Sequence, residues 1–157
     1  MLKKSLSLQY REGNNLEELS EKIQDLITET MRFSGNAYAP YSKFHVSAGL
    51  MLSDGTIVKG ANMENASYPV SICAERTLLS HTITNYPKQT IDVMVIYVDR
   101  NLEHPVPPCG ICRQTLLEVE LNQKQAIEVI LITKSGKFII FDRAADLLPL
   151  YFDGSVL

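Results

Sequence analysis

Two short stretches, Cys73-Ala74-Glu75-Arg76 and Pro108-Cys109-Gly110-Ile111-Cys112, contain all 3 cysteines of this 157-residue chain. A thiolate is a strong zinc ligand, and two cysteines separated by two residues can bind one ion from the first turn of a helix. Cys73 would supply a third sulfur from elsewhere in the fold. Structural zinc sites usually have four protein ligands, whereas catalytic sites have three and leave one position to water. The sequence therefore favours a catalytic zinc site formed by Cys73, Cys109 and Cys112.

The alternative is a closed structural site in which a histidine is the fourth ligand. His81 follows Cys73 by about 12 Å of helix, which is too far for both residues to bind one ion. His45 lies in a strand-like run and is expected to pack or to face solvent. His104 could fold back onto the metal through the proline-bearing segment before Cys109. A closed site with His104 therefore stays open at this stage, as do three buried cysteines without metal.

Glu75, which follows Cys73 by two positions, indicates catalysis. A carboxylate beside a metal-activated water can accept a proton and deliver it to a substrate. The order Cys-x-Glu followed by Pro-Cys-x-x-Cys resembles that of the zinc deaminases, in its all-cysteine form. Arg76 and Arg113, each next to one of these residues, could hydrogen-bond the sulfurs and offset the charge of three thiolates. Either arginine could instead be a structural ion-pair partner.

Composition limits the class of protein. A hydrophobic fraction of 45% over this length predicts one domain with a core that needs no disulfides. The net charge of -3 and the pI near 5.6 argue against a dedicated nucleic-acid binder. Residues 5–12 are too polar for a signal-peptide core, and no apolar run reaches membrane-spanning length. We therefore expect a cytoplasmic protein without a membrane partner.

Apolar periodicity and turn signals predict four helices and five strands. The first helix is predicted from residue 16, with Asn14 or Asn15 as its cap. Ser71 is the expected cap of the second helix and Pro108 the first residue of the third. The other helices are predicted over residues 72–85, 108–121 and 144–148, and the strands over residues 44–52, 57–61, 91–98, 127–133 and 137–141.

This order predicts an α/β fold, a three-layer α/β/α sandwich with a mixed five-stranded sheet. Residues 22–157 are predicted to form a single zinc-dependent domain, and residues 1–21 an amino-terminal extension without an assigned function. Within that extension, the alternation of Leu6, Leu8 and Tyr10 suggests an edge strand.

Four motifs together resemble the small cytidine deaminases. They are residues 38–44 (Tyr-Ala-Pro-Tyr-Ser-Lys-Phe), 62–66 (Asn-Met-Glu-Asn-Ala), 73–77 (Cys-Ala-Glu-Arg-Thr) and 108–114 (Pro-Cys-Gly-Ile-Cys-Arg-Gln). Their order and spacing also match, and the likeness covers about residues 22–152. It implies hydrolytic deamination of cytidine and 2'-deoxycytidine to uridine and 2'-deoxyuridine, with release of ammonia, in pyrimidine salvage. It also implies a homotetramer with one zinc ion per subunit and active sites at subunit interfaces.

The resemblance also implies roles for individual residues. Zinc would be held by Cys73, Cys109 and Cys112, and Glu75 would be the proton shuttle. Asn62 and Glu64 would bind the ribose hydroxyls, and Phe44 would pack against the nucleoside unless it is an ordinary core residue. The full set of implied substrate contacts is Phe44, Asn62, Glu64, Ala66, Tyr68, Ala74 and Phe152. Of these, Ala66 and Tyr68 would act across a subunit interface, and Phe152 would be placed over a neighbour's base.

One stretch departs from the family pattern: Ser47-Ala48-Gly49 stands where Gly-Ala-Ala is usual, and we expect this to alter packing only. Two other functions remain open. One is a deaminase of another nucleoside-like substrate, including a base in nucleic acid. Asn62 and Glu64 favour a free nucleoside, because a carboxylate at the sugar would repel phosphate. The other is a non-catalytic, zinc-stabilised binding module.

Overall fold

The computed structural model describes residues 1–156, in which a six-stranded mixed sheet lies between helical layers. The strands are β1 (Arg11–Gly13), β2 (Val46–Leu52), β3 (Ile57–Ala61), β4 (Ile91–Val98), β5 (Glu128–Thr133) and β6 (Phe138–Phe141). The α-helices are α1 (Glu21–Phe33), α2 (Ala74–Asn85) and α3 (Gly110–Gln123). The strand order is β1-β6-β5-β4-β2-β3. β4 and β5 are parallel, and the other neighbours are antiparallel.

Alternate residues of β4 face two separate cores. Met94 and Ile96 pack with α2 and α3 on one face. Val95 and Tyr97 pack with Leu26 and other α1 residues on the opposite face. Burial of one such apolar side chain stabilises the fold by about 1.5–3 kcal/mol. The predicted α/β class with three layers is therefore confirmed.

The predicted number of strands is wrong, because the described residues contain a sixth strand at the sheet edge. β1 pairs with β6, with Arg11 opposite Ile140 and Gly13 opposite Phe138. The edge strand suggested by the alternation of Leu6, Leu8 and Tyr10 is not formed by these residues, which lie just before β1. β1 is short and polar, so its pairing depends on contacts with distant residues.

Three helix starts also differ from the predicted ones. Asn15 caps a separate 3₁₀ turn, Leu16–Glu18, and α1 begins only at Glu21. The caps of α2 and α3 are Cys73 and Cys109, rather than Ser71 as the cap and Pro108 as the first helical residue. Residues 144–147 form a 3₁₀ turn instead of an α-helix.

Both predicted hairpins are present, β2 with β3 and β5 with β6. Their turns place Gly55 and Gly136 at φ of 86° and 85°, a region that favours glycine. No helix in the described part of the chain is long and apolar enough to cross a membrane.

Candidate active site

The amino-terminal ends of α2 and α3 bring the three cysteines together. Cys73 caps α2, Cys109 caps α3, and Cys112 lies buried in the first turn of α3. Their sulfur atoms all lie within 4.8 Å of one another, and those of Cys109 and Cys112 are 3.5 Å apart. Sulfurs that bind one tetrahedral zinc at about 2.3 Å are separated by roughly 3.8 Å. Thiolates at this spacing fit one zinc ion per chain.

His104 does not join this cluster. Its side chain is 81% exposed, and its Nε2 lies 3.9 Å from a carboxylate oxygen of Glu103. Within residues 1–156, the three cysteines are the only group of three or more potential metal ligands that lie close enough to share an ion. The closed structural site with His104 is therefore wrong, and the arrangement is the three-ligand type that leaves a position for water.

Glu75 occupies the first turn of α2 and is only 4% exposed. Burial raises the pKa of its carboxyl group, the negative charge of Cys73 raises it further, and hydrogen bonds from its own backbone N–H and from Cys112 oppose these effects. A raised pKa makes a carboxylate a stronger proton acceptor than that of an ordinary glutamate, which suits a group that carries protons in catalysis. Glu75 lines the same cavity as Cys73 and Cys109.

Arg76 lies close to the Cys73 thiol. The pKa of Cys73 falls to about 6, first because Cys112 hydrogen-bonds it and also because of Cys109 and the positive charge of Arg76. The Nη2 atom of Arg76 donates to the Ser71 carbonyl at 3.2 Å. Its Nε atom is buried without a hydrogen-bond partner among the described residues. The guanidinium thus places a positive charge beside the sulfur cluster.

Arg113 has different contacts from those expected of a residue that tunes the sulfurs. Its Nε donates to the Pro108 carbonyl at 2.8 Å, and its Nη1 donates to the Leu147 carbonyl at 2.9 Å. These bonds hold the backbone that precedes Cys109. In the described structure, the hydrogen bonds of Arg113 go to carbonyl oxygens and not to sulfur.

A cavity of about 600 Å³ opens beside the cysteines. Of the residues implied by the resemblance, those that line it are Phe44, Asn62, Glu64, Tyr68, Cys73, Ala74, Glu75 and Cys109. Sequence reasoning missed its apolar wall, which includes Val46, Ile96, Val98, Val106 and Pro107. Val106 and Pro107 directly precede the Pro-Cys-x-x-Cys motif that begins at Pro108, and this position was the one sequence signal that they could lie beside the metal site. An apolar wall with a few polar groups is typical of a small-molecule site.

Asn62 and Glu64, which both line the cavity, are held by backbone groups. The Asn62 amide donates to the Phe44 carbonyl and accepts from the Val46 N–H, each at 2.9 Å. The carboxylate of Glu64 accepts from the N–H groups of Tyr41 and Ser42 at 2.9 and 3.3 Å. The Ser42 hydroxyl, followed by these N–H groups and Lys43, lowers the pKa of Glu64. Both backbone bonds use Oε2, so Oε1 is available to a ligand.

Three of the residues implied by the resemblance are exposed to solvent in the single chain. Tyr68 is 70% exposed at the cavity mouth, and Phe152 is 61% exposed. Ala66 is also exposed, and neither Ala66 nor Phe152 lines the cavity of its own chain. The Phe152 carbonyl accepts a 3.0 Å hydrogen bond from Gln114 of α3. In the structure of one chain, Ala66 and Phe152 thus lie outside the cavity that Cys73 and Cys109 line, whereas Tyr68 lines it.

Comparison with known proteins agrees with this geometry. Residues 20–127 match the family described as the cytidine and deoxycytidylate deaminase zinc-binding region. The cytidine deaminase of Halalkalibacterium halodurans is 46% identical over 96 residues, which cover 61% of this chain and 70% of the relative. That of Mycoplasma pneumoniae is 34% identical over 111 residues, which cover 71% of this chain and 77% of the relative.

Solved structures show the same similarity. The crystal structure of cytidine deaminase from Burkholderia pseudomallei superposes with a TM-score of 0.74 at 34% identity, covering 85% of this chain and 100% of that one. The cytidine deaminase of Mycobacterium leprae gives a TM-score of 0.62 at 28% identity. With residues 20–127 matched and the three sulfurs in place, this chain belongs to the cytidine and deoxycytidylate deaminase family.

Proposed function

We propose that this protein catalyses the zinc-dependent hydrolytic deamination of cytidine and 2'-deoxycytidine, which yields uridine or 2'-deoxyuridine and ammonia. One observation carries the proposal: the buried Glu75 carboxyl group lines the same cavity as Cys73 and Cys109, two of the three clustered cysteines, and Glu64 lies on the wall of that cavity. This combination provides a metal, a proton carrier and a polar group for a sugar in one small-molecule site.

Glu75 moves the protons of this reaction. Zinc, when bound by the three cysteines, makes a water molecule acidic enough to ionise near neutral pH. Glu75 would accept one proton of that water and deliver it to the ring nitrogen next to the amino-bearing carbon. This carbon would thereby become more electrophilic, and the remaining hydroxide would bond to it. Glu75 would then move the proton of the added hydroxyl group to the amino group, so that the C–N bond breaks, ammonia leaves and the carbonyl of the product forms. General acid-base catalysis of this kind contributes about 10²- to 10⁴-fold in rate.

The other cavity residues bind and orient the nucleoside. Asn62 and the free Oε1 of Glu64 hydrogen-bond the ribose hydroxyls, while Phe44 and the apolar wall pack against the substrate. Ala74 lies between the metal ligand and the proton carrier and contacts the base. The negative charge of Glu64 favours a free nucleoside over a nucleotide, because a phosphate there would be repelled.

A homotetramer would account for the exposure of Ala66, Tyr68 and Phe152 in the single chain. In this proposal, Ala66 and Tyr68 contact ligand across a subunit interface, and Phe152 is placed over a neighbour's base. Their exposure in the single chain supports an assembly in which other copies cover them. We also propose that the enzyme acts in cytoplasmic pyrimidine salvage and that Arg76 offsets the charge of the thiolates. Residues 22–157 would form its zinc-dependent domain, to whose sheet β1 of the amino-terminal extension adds an edge strand.

The test is the ultraviolet absorbance change of cytidine and 2'-deoxycytidine with zinc-replete protein, run beside Glu75→Gln. Loss of the cytidine signal with the parent alone would establish the reaction. Turnover of CMP or of single-stranded DNA as fast as that of cytidine would instead identify a different substrate class. No turnover of any of these substrates by zinc-replete protein would support a binding module and contradict the proposal.

A further inference from the structure

Arg100, which follows β4, lies against the loop of residues 41–44 that forms part of the cavity wall. Its Nη2 atom is 3.3 Å from the Ser42 carbonyl and 3.5 Å from the Lys43 carbonyl. Its guanidinium carbon lies 4.9 Å from the centre of the Phe44 ring. One side chain therefore contacts three successive residues of the loop, although Arg100 does not itself line the cavity.

Glu64 holds the same loop through the backbone N–H groups of the loop, whereas Arg100 binds its carbonyl groups. It accepts from the backbone N–H groups of Tyr41 and Ser42, whereas Arg100 donates to the carbonyls of Ser42 and Lys43. The loop is thus fixed between a carboxylate and a guanidinium. This support matters because Lys43 has a φ of 56°, a conformation that costs free energy in a residue other than glycine.

Arg100 is itself held in place by its backbone and by the strands. Its N–H donates to the Val98 carbonyl at 2.8 Å, and its carbonyl accepts from the Lys134 N–H at 3.3 Å. The neighbouring Asp99 forms a 2.8 Å ion pair with Lys134. The guanidinium therefore extends to the loop from a turn that is anchored to the sheet.

We propose that Arg100 is a positioning residue for nucleoside binding. It fixes the ring of Phe44 and orients the Tyr41 and Ser42 amides that hold Glu64, and it takes no part in proton transfer. Without it, the loop would have to be ordered when the nucleoside binds, and the free energy of that ordering would lower affinity. The proposal rests on the proposed nucleoside deaminase function.

Arg100→Ala should raise the KM for cytidine by about 3- to 10-fold. The increase is modest because the variant loses only a partly exposed cation–π contact and two long hydrogen bonds. We expect kcat to stay within about twofold, because the proton carrier and the metal ligands are not contacted. Arg100→Lys should restore KM only in part, because an ammonium lacks the planar fork that stacks on the ring and reaches two carbonyls. Zinc content and melting temperature should match those of the parent.

Arg32→Ala is the matched control, because it removes an exposed arginine of α1 that pairs with Glu29 and belongs neither to the loop nor to the cavity wall. Its KM should equal that of the parent. Phe44→Leu, alone and combined with Arg100→Ala, tests the route of the effect. If Arg100 acts through the ring, Arg100→Ala should change KM by less than about twofold in the Phe44→Leu background.

Binding of uridine by calorimetry gives a second readout that does not depend on turnover, and it should weaken in Arg100→Ala by the same factor as KM. A parent protein that neither converts cytidine nor binds uridine would overturn the proposed function together with this proposal. An active parent would leave that function standing. In that case an unchanged KM in Arg100→Ala, or a loss confined to kcat, would overturn the positioning role alone.

Discussion

The carboxylate of Glu120 in α3 accepts a 2.7 Å hydrogen bond from the backbone N–H of Ala144, a residue 24 positions later. It also accepts from the N–H groups of Ala145 at 3.1 Å and of Ile127 at 2.9 Å, and it is only 4% exposed. Through this side chain and Arg113, α3 holds both ends of the 3₁₀ turn at residues 144–147. The helix that carries Cys112 therefore also positions the carboxy-terminal segment.

Replacement of Glu120 by alanine should destabilise the fold by about 3 kcal/mol, because three buried N–H groups would lose their acceptor. Urea unfolding measures this change as a lower midpoint with an unchanged slope. The control is Glu118→Ala, an exposed position on the same helix, with an expected change below about 0.5 kcal/mol. Equal midpoints for the two variants would show that these hydrogen bonds add nothing to stability.

Glu75→Gln should keep zinc and the fold but lose nearly all turnover. An amide cannot carry the proton, and the loss of general acid-base catalysis should lower kcat by at least about 10²-fold. Metal analysis and the cytidine absorbance assay check both parts. Glu118→Gln serves as the control and should keep full activity, whereas substantial activity in Glu75→Gln would remove Glu75 from the role.

Removal of zinc by a chelator should abolish deamination and lower the melting temperature, because three thiolates are then left without their cation. Added zinc should restore deamination and the melting temperature in the parent but not in Cys112→Ala, which lacks one buried ligand. His104→Ala should bind zinc and turn over like the parent, since this exposed side chain lies outside the cluster. Zinc loss in His104→Ala would contradict the three-ligand site.

Nucleoside binding should persist well into the acid range. The contacts that lower the pKa of Glu64 keep its carboxylate charged below the ordinary value of 4.5. Its contribution is fully present above that value and is lost only as the pH falls through the lowered pKa. The Kd of uridine, measured where circular dichroism shows a folded protein, should therefore stay level from about pH 7 to pH 5. A rise in the Kd of uridine with a midpoint above pH 4.5, present in the parent and absent in Glu64→Gln, would contradict this expectation.

Gly49→Ala should destabilise the protein by about 1–3 kcal/mol through overpacking. A methyl group at this position would overlap Oγ1 of Thr30, and it would also lie 3.2 Å from the Thr30 Cβ atom. Thr30→Ala should relieve part of the cost in the double variant, while Gly35→Ala, which meets nothing within 4 Å, is the control. Thermal unfolding of Gly49→Ala, Thr30→Ala, the double variant and Gly35→Ala measures these changes in stability. Additive losses of stability from Gly49→Ala and Thr30→Ala would contradict the overlap.

The sequence predicted those features that depend on only a few neighbouring residues. The cysteine spacing predicted the metal cluster, and the turns at Gly55 and Gly136 predicted both hairpins. The edge strand was expected around Leu6, Leu8 and Tyr10, but it lies at Arg11–Gly13, because Arg11 is held there by ion pairs with Glu128 and Asp142, which are distant in sequence. The same reason explains the carbonyl contacts of Arg113. Its partner Leu147 is identified only by the fold.

β1 has a further consequence for the behaviour of the protein in solution. The strand that it covers, Phe138–Phe141, is a continuous Phe-Ile-Ile-Phe run. An uncovered apolar edge strand presents free N–H and C=O groups to other chains and is a template for aggregation. A chain shortened to begin at residue 22 would keep every zinc ligand and cavity residue, yet it would expose this edge. Three residues outside the cysteine cluster and its cavity thus cover a sheet edge that would otherwise be open to self-association.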